Sequence, residues 1–178
     1  MEIGDRMPSN RAPTIQQTGA MAVTLQLARL TNAHLAKCRT DVDALEEICS
    51  FKALSSDSYA DLDWAGNYLD NAAVTAGIPA GQAESLSRAT GDGLEVNAEY
   101  DGTWDPPRYW SSAEVRQIST ELDHIDAAVL LDEEVISSVF AGGGVTDPLE
   151  YMSRHFKVLR EFYRTAAALG LVVMLWGD

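Results

Sequence analysis

Four tryptophans, three histidines, two cysteines and 27 carboxylates are the side chains from which this chain of 178 residues could build a site. The densest group is an aromatic loop. Tyr100, Trp104, Tyr109 and Trp110 flank Arg108 in a stretch broken by Gly102, Pro106 and Pro107. Aromatic side chains presented on a Gly/Pro-rich loop can form a binding hot spot, or can plug the end of a small sheet. Tyr109 and Trp110, next to a helix start, suit the plug. Trp104 suits an exposed contact. Carboxylate pairs are the next candidates, since two of them can divide acid and base work. Glu95 and Glu99 fall on one face of an alternating run, about 13 Å apart at their backbones if that run is a strand. This is wider than the separation of about 5–9.5 Å used by either class of glycosidase. Asp61 and Asp63 are read as caps of a helix that carries Trp64.

Metal and nucleophile chemistry find little support. His34, His124 and His155 share no i, i+4 spacing with one another, and no HExxH run exists. Each is expected at a surface or boundary. Cys38 and Cys49 lack CxxC spacing. If one helix carried both, they would stand about 16 Å apart along its axis, too far for a disulfide. Two small buried thiols in a reducing compartment are expected instead. There is no GxSxG elbow and no GxxxxGK[ST] phosphate loop. Gly142–Gly144 precede a helix without the required lysine. No cofactor and no metal are called for.

The net charge is −14, from 27 acidic and 13 basic residues. Such a balance disfavours phosphate-backbone binding and anionic lipid, so neither nucleic acid nor membrane is expected as a partner. It favours basic partners. The charge is uneven. Residues 92–150 hold 14 acids against Arg108 and Arg116 alone. The band reads either as solvated helix and strand faces or as a docking face for a basic protein. By contrast, Arg154, Lys157, Arg160 and Arg164 form a basic stripe opposed by Glu161. That stripe either pairs with nearby acids or meets the acidic band of a second copy; the oligomeric state stays open. No apolar run is long enough to span a bilayer, and the N-terminus has no apolar core of a signal peptide. A cytoplasmic location is expected.

The elements that must position these residues follow from periodicity. Residues 1–20 read as a disordered leader or a remnant of cloning, and 21–178 as one domain. Val23, Leu25 and Leu27 alternate as a first strand. Leu35, Cys38, Val42, Leu45 and Ile48 form one helical stripe after a Thr31 cap, with a break near Thr40 and Asp43. A helix from Asp61 or Asp63 to about Ala76 ends at Gly77. A short one covers Gln82–Ala89. Leu94 to Tyr100 alternate as a half-buried strand, and Arg108–Trp110 are extended. Ser111 with Glu114 is a capping box. Asp132–Phe140 form a helix. Thr146 caps the last one, whose stripe runs Leu149, Met152, Phe156, Leu159, Tyr163, Ala166 before Gly170. Leu171–Trp176 are apolar on both faces, which places them mid-sheet. The class is α+β: a small mixed sheet of N-terminal, middle and C-terminal strands packed against several helices.

Three segments carry a resemblance. YMSRHFKVLREFYRTAAALGLVVMLW resembles the C-terminal helix and strand of the YfbM-like family, bacterial proteins of unknown function. PPRYWSSAEVRQISTELDHI is similar to its middle segment, and SYADLDWAGNYL to its Leu-Asp helix start. Relatives often place Trp and then His further along that early helix. Here Trp64 directly follows Asp63 and the helix holds no His. The resemblance implies an α+β domain over residues 21–178 and brings no activity.

The sequence therefore supports a non-enzymatic acidic module that binds a basic protein, of the immunity or antitoxin kind. The alternative is a small hydrolase or transferase working through carboxylates near the aromatic loop. The residues singled out for binding are Asp63, Trp64, Glu95, Glu99, Trp104, Arg108 and Trp110.

Overall fold

The computed structural model describes residues 23–178. The expected leader, residues 1–20, lies outside them.

A five-stranded sheet has the order β2-β1-β5-β4-β3. Its strands are β1 (Leu25–Leu30), β2 (Tyr59–Asp61), β3 (Leu94–Glu95), β4 (Asp105–Trp110) and β5 (Val172–Gly177). The α+β class holds. Every ladder is antiparallel, rather than mixed. The apolar run at the C-terminus occupies the centre, as its two-faced hydrophobicity requires. Alternate residues of β5 serve two cores. Val173 and Leu175 pack under the larger helical layer, and Val172, Met174 and Trp176 face the smaller.

The larger layer contains α3 (Ala65–Ala76), α4 (Ala80–Thr90), α5 (Ser112–His124), α6 (Ala127–Leu130), α7 (Glu133–Val139) and α8 (Pro148–Leu169). The smaller contains α1 (Asn32–Cys38) and α2 (Val42–Cys49). The long stripe from Leu35 to Ile48 is thus two helices. Thr31 caps the first through the His34 amide, while Asp41, between the two residues expected to mark the break, caps the second. The cysteines sit on different helices, both buried and free. Burial drives the Cys49 thiol up to about 12.

Several expected boundaries move. The run from Leu94 to Tyr100 is a strand for two residues only. Asn97 ends it by accepting the Glu99 amide (3.0 Å) and donating to the Cys38 carbonyl (3.2 Å). Extended structure resumes at Asp105 despite two prolines, because the β4–β5 register shifts between Asp105 and Arg108. A bulge tolerates residues that lack an N–H. Asp61 and Asp63 cap nothing. Asp61 belongs to β2, and Trp64 stands at the α3 cap without a side-chain cap bond. Asp147, rather than Thr146, caps α8, with Pro148 in its first turn. Leu149 is exposed, so the buried stripe of α8 starts at Tyr151 and Met152. The Ser111–Glu114 capping box is complete, and Gly170 closes α8 at φ 66°.

Among the described residues no helix is long and apolar enough to cross a membrane.

Candidate functional site

The junction between β2 and α3 builds one wall of a cleft. Asp61 Oδ1 accepts the Asp63 amide at 2.7 Å, and this tight turn throws Asp63 to φ 50°. Left-handed backbone is uncommon outside glycine, though short polar side chains tolerate it. Asp63 is pinned further because its carbonyl accepts the Leu25 amide at 2.9 Å. The next amide, that of Trp64, donates to the Tyr151 hydroxyl at 3.1 Å. Bonds to β1 on one side and α8 on the other fix the backbone that carries the Trp64 indole, which is 37% exposed.

The opposite wall comes from the aromatic loop. The Trp104 amide donates to the Gly177 carbonyl (3.1 Å), and the Thr103 hydroxyl donates to the Asp105 carbonyl (2.8 Å). Trp104 enters β4 held to the end of β5, with its own side chain 64% exposed. The floor is the end of the sheet. Here α3 approaches β1 so closely that a Cβ on Gly66 would stand 2.8 Å from Leu25 Cδ2. A side chain at this position would have to displace the Leu25 side chain.

The cleft so formed has a volume of about 430 Å³. It gathers Asp63, Trp64, Trp104 and Arg108, four of the residues singled out from sequence. Glu95, Glu99 and Trp110 stand outside it. Glu95 lies on the edge strand in register with Arg108, and Glu99 is on an exposed loop. They share no strand, so the notion of a paired acid and base on one face fails. Trp110 is a structural anchor. Its indole N–H donates to the Arg88 carbonyl at 2.7 Å, and the Arg88 guanidinium covers its ring at 4.4 Å.

Sequence reasoning missed Asp92 and Asp105 as lining residues. Both were counted in the acidic band, but only the fold brings the α4–β3 turn beside the start of β4. It also missed Asp70. The Thr90 hydroxyl, in the cleft wall, lies 3.3 Å from both Asp70 oxygens. Burial raises the Asp70 carboxyl to about 6, against the lowering effect of Thr90. The three lining carboxylates against one guanidinium leave the cleft acidic.

Behind Trp64 the chemistry is buried. Tyr151 is raised to about 12, first by burial and then by the Asp63 charge. His155, expected at a surface or boundary, is 7% exposed, and burial followed by the Arg154 charge pushes its protonation down. No group of three or more His, Cys, Asp or Glu able to hold a metal occurs among the described residues.

Several members of the acidic band have local partners. Asp126, Asp132 and Asp147 cap helices, Glu114 closes the capping box, and Asp123 binds Arg164 at 2.7 Å and Arg160 at 3.5 Å. These pairs occupy much of the basic stripe of α8.

Residues 21–176 match the model of a family described as a domain of unknown function, DUF1877. The chain belongs to that family. Its fold resembles that of YfbM from Escherichia coli, a protein of unknown function, with a TM-score of 0.57 at 18% identity. The match covers 87% of this chain and 99% of that one. No curated protein matches. At this identity the likeness speaks to the fold.

Proposed function

We propose that the protein is an acidic interaction module that takes a cationic segment of a basic protein into the Trp64–Trp104 cleft. The observation that carries this reading is the pairing of two exposed indoles with Asp63, Asp92 and Asp105 in one concavity. Tryptophan faces attract ammonium and guanidinium groups, and adjacent carboxylates add charge-assisted hydrogen bonds. Arg108 and the uncapped first turn of α3, which reaches the cleft at Gly66 and Asn67, suit backbone carbonyls of the same segment.

Titration with an arginine-rich peptide, followed by tryptophan fluorescence, tests this. Saturable change that is lost in Trp104→Ala is expected. An unchanged signal, or equal binding by Trp104→Ala and by an acidic control peptide, contradicts the reading.

A second reading, a small hydrolase or transferase, is favoured by one feature: the cleft is concave and three carboxylates line it. Turnover of ester or glycoside substrates that is abolished in Asp92→Asn or Asp105→Asn would replace the first reading.

A further inference from the structure

A second concavity, of about 290 Å³, runs between α8 and α6. Ala127 and Leu131 from the α6 segment and Phe156 from α8 give it apolar surface. Lys157, Arg160 and Arg164 line it as well, opposed by Glu161 alone. Their spacing of three and four residues sets the three cations along one side of the helix. Three cations against one carboxylate leave this lining positive, in a chain whose net charge is −14. The Trp64–Trp104 cleft has the opposite balance.

Asp123 satisfies these cations unequally. Arg164 Nη2 donates to Asp123 Oδ1 at 2.7 Å and its Nε to Oδ2 at 3.5 Å, so one guanidinium engages both oxygens. Arg160 is left with long contacts. Its Nη2 lies 3.5 Å from Asp123 Oδ1 and 3.5 Å from the Asp123 carbonyl oxygen. Its Nε is buried with no hydrogen-bond partner. The guanidinium carbon stands 5.4 Å from the centre of the Phe156 ring, which keeps the charged head beside apolar surface. A guanidinium has five donors, and a charge partly withdrawn from water needs them bonded. Lys157 Nζ is 4.0 Å from Glu161 Oε1, with both side chains more than half exposed, and such a pair contributes little. Arg160 and Lys157 therefore keep bonding capacity at the concavity.

We propose that this concavity binds a small monocarboxylate with an apolar body. The carboxylate takes Arg160 and Lys157, and the body packs on Phe156, Leu131 and Ala127. Guanidinium–carboxylate bonds orient the ligand, and burial of its apolar part adds to them. Ligand pockets begin near ~300 Å³, so the volume suits a ligand of few atoms. A monoanion suits the site better than a phosphate dianion, because Glu161 shares the lining. A second copy of the chain is disfavoured as occupant, since two molecules of charge −14 repel. The site has no residue in common with the Trp64–Trp104 cleft and is independent of its reading.

Benzoate is the probe, followed through the backbone amide resonances of Ala127 and Leu131 at constant ionic strength. A saturable shift is expected. Acetate, which lacks the apolar body, and benzamide, which lacks the charge, should each bind roughly tenfold more weakly or worse. Arg160→Gln should weaken benzoate binding roughly fivefold or more. Glu161→Gln removes the opposing carboxylate and should tighten it roughly twofold or more. Resonances that stay still or drift linearly overturn the proposal, as does benzamide or acetate binding as well as benzoate, or benzoate affinity unchanged in both variants. Resonances that move with protein concentration and not with benzoate would make the concavity an interface between copies, and the proposal would fall. If Arg160→Gln does not fold, Glu161→Gln and the benzamide comparison decide.

Discussion

Trp104 is the residue on which the binding account rests most heavily, and its exposure makes it a clean probe. Little of its side chain is buried, so Trp104→Ala should change stability by no more than about 0.5 kcal/mol. Urea unfolding checks this, and the same variant should lose peptide binding. Asp70 offers a pH signal. Its carboxyl rises from 3.8 to about 6 in the folded protein because burial penalises the charge. Below this window both folded and unfolded forms hold the proton, and the group costs nothing. As pH rises, the unfolded chain ionises first, and native stability falls until the folded carboxyl ionises too. Asp70→Asn removes the penalty. Relative to wild type it should gain about 2 kcal/mol between the acid end of the window and a pH above it, after allowance for solvent screening. Parallel urea midpoints across that range would contradict the account. Residue types announced Trp64, Trp104, Arg108 and Asp63 as site material, because exposed aromatics beside charge have few structural uses. They did not announce Asp92 or Asp70. A carboxylate in a turn and another on a helix look ordinary until the fold sets them beside the cleft.

At the scale of elements, helix starts are where local chemistry is strongest, and those after Thr31 and Ser111 were readable. Ser111 and Glu114 satisfy each other's orphan amides, with Ser111 Oγ 2.6 Å from Glu114 Oε2. Ser111→Ala should cost about 1 kcal/mol, seen as a lower urea midpoint. Neighbouring polar residues caused the errors. Thr146 and Asp147 can both cap, and Pro148 decides for Asp147, since proline favours the first helical position. At Asp61 and Asp63 the chain spends the carboxylate on a turn, which periodicity does not reveal. Asn97 ends β3 through a bond to α1, a partner 59 positions away that no local pattern contains. The packing of α5 on α8 is the reverse case. Leu122 and Leu159 are fully buried, Leu159 at a position its stripe predicted. Leu159→Ala should cost about 2–5 kcal/mol, depending on how far the cavity collapses, and thermal unfolding would show a correspondingly lower Tm.

For the whole molecule, the central place of β5 was legible because both its faces are apolar. The two-sided cover of the sheet was not, because α1 and α2 read as one helix. Charge changed meaning most. The acidic band looked continuous in sequence, yet several of its members cap helices or bind α8. The acids left to face a partner at the cleft are Asp92 and Asp105, joined by Asp63 from a distant segment. The account therefore predicts association that is both electrostatic and local. The most direct test is the dissociation constant of an arginine-rich peptide across a salt series, for wild type and for Asp63→Asn/Asp92→Asn/Asp105→Asn. Wild-type affinity should fall roughly tenfold or more from low to high salt, and the triple variant should bind weakly with a much shallower dependence. Equal salt dependence in the two proteins would place the binding charge elsewhere and contradict the cleft as the docking site.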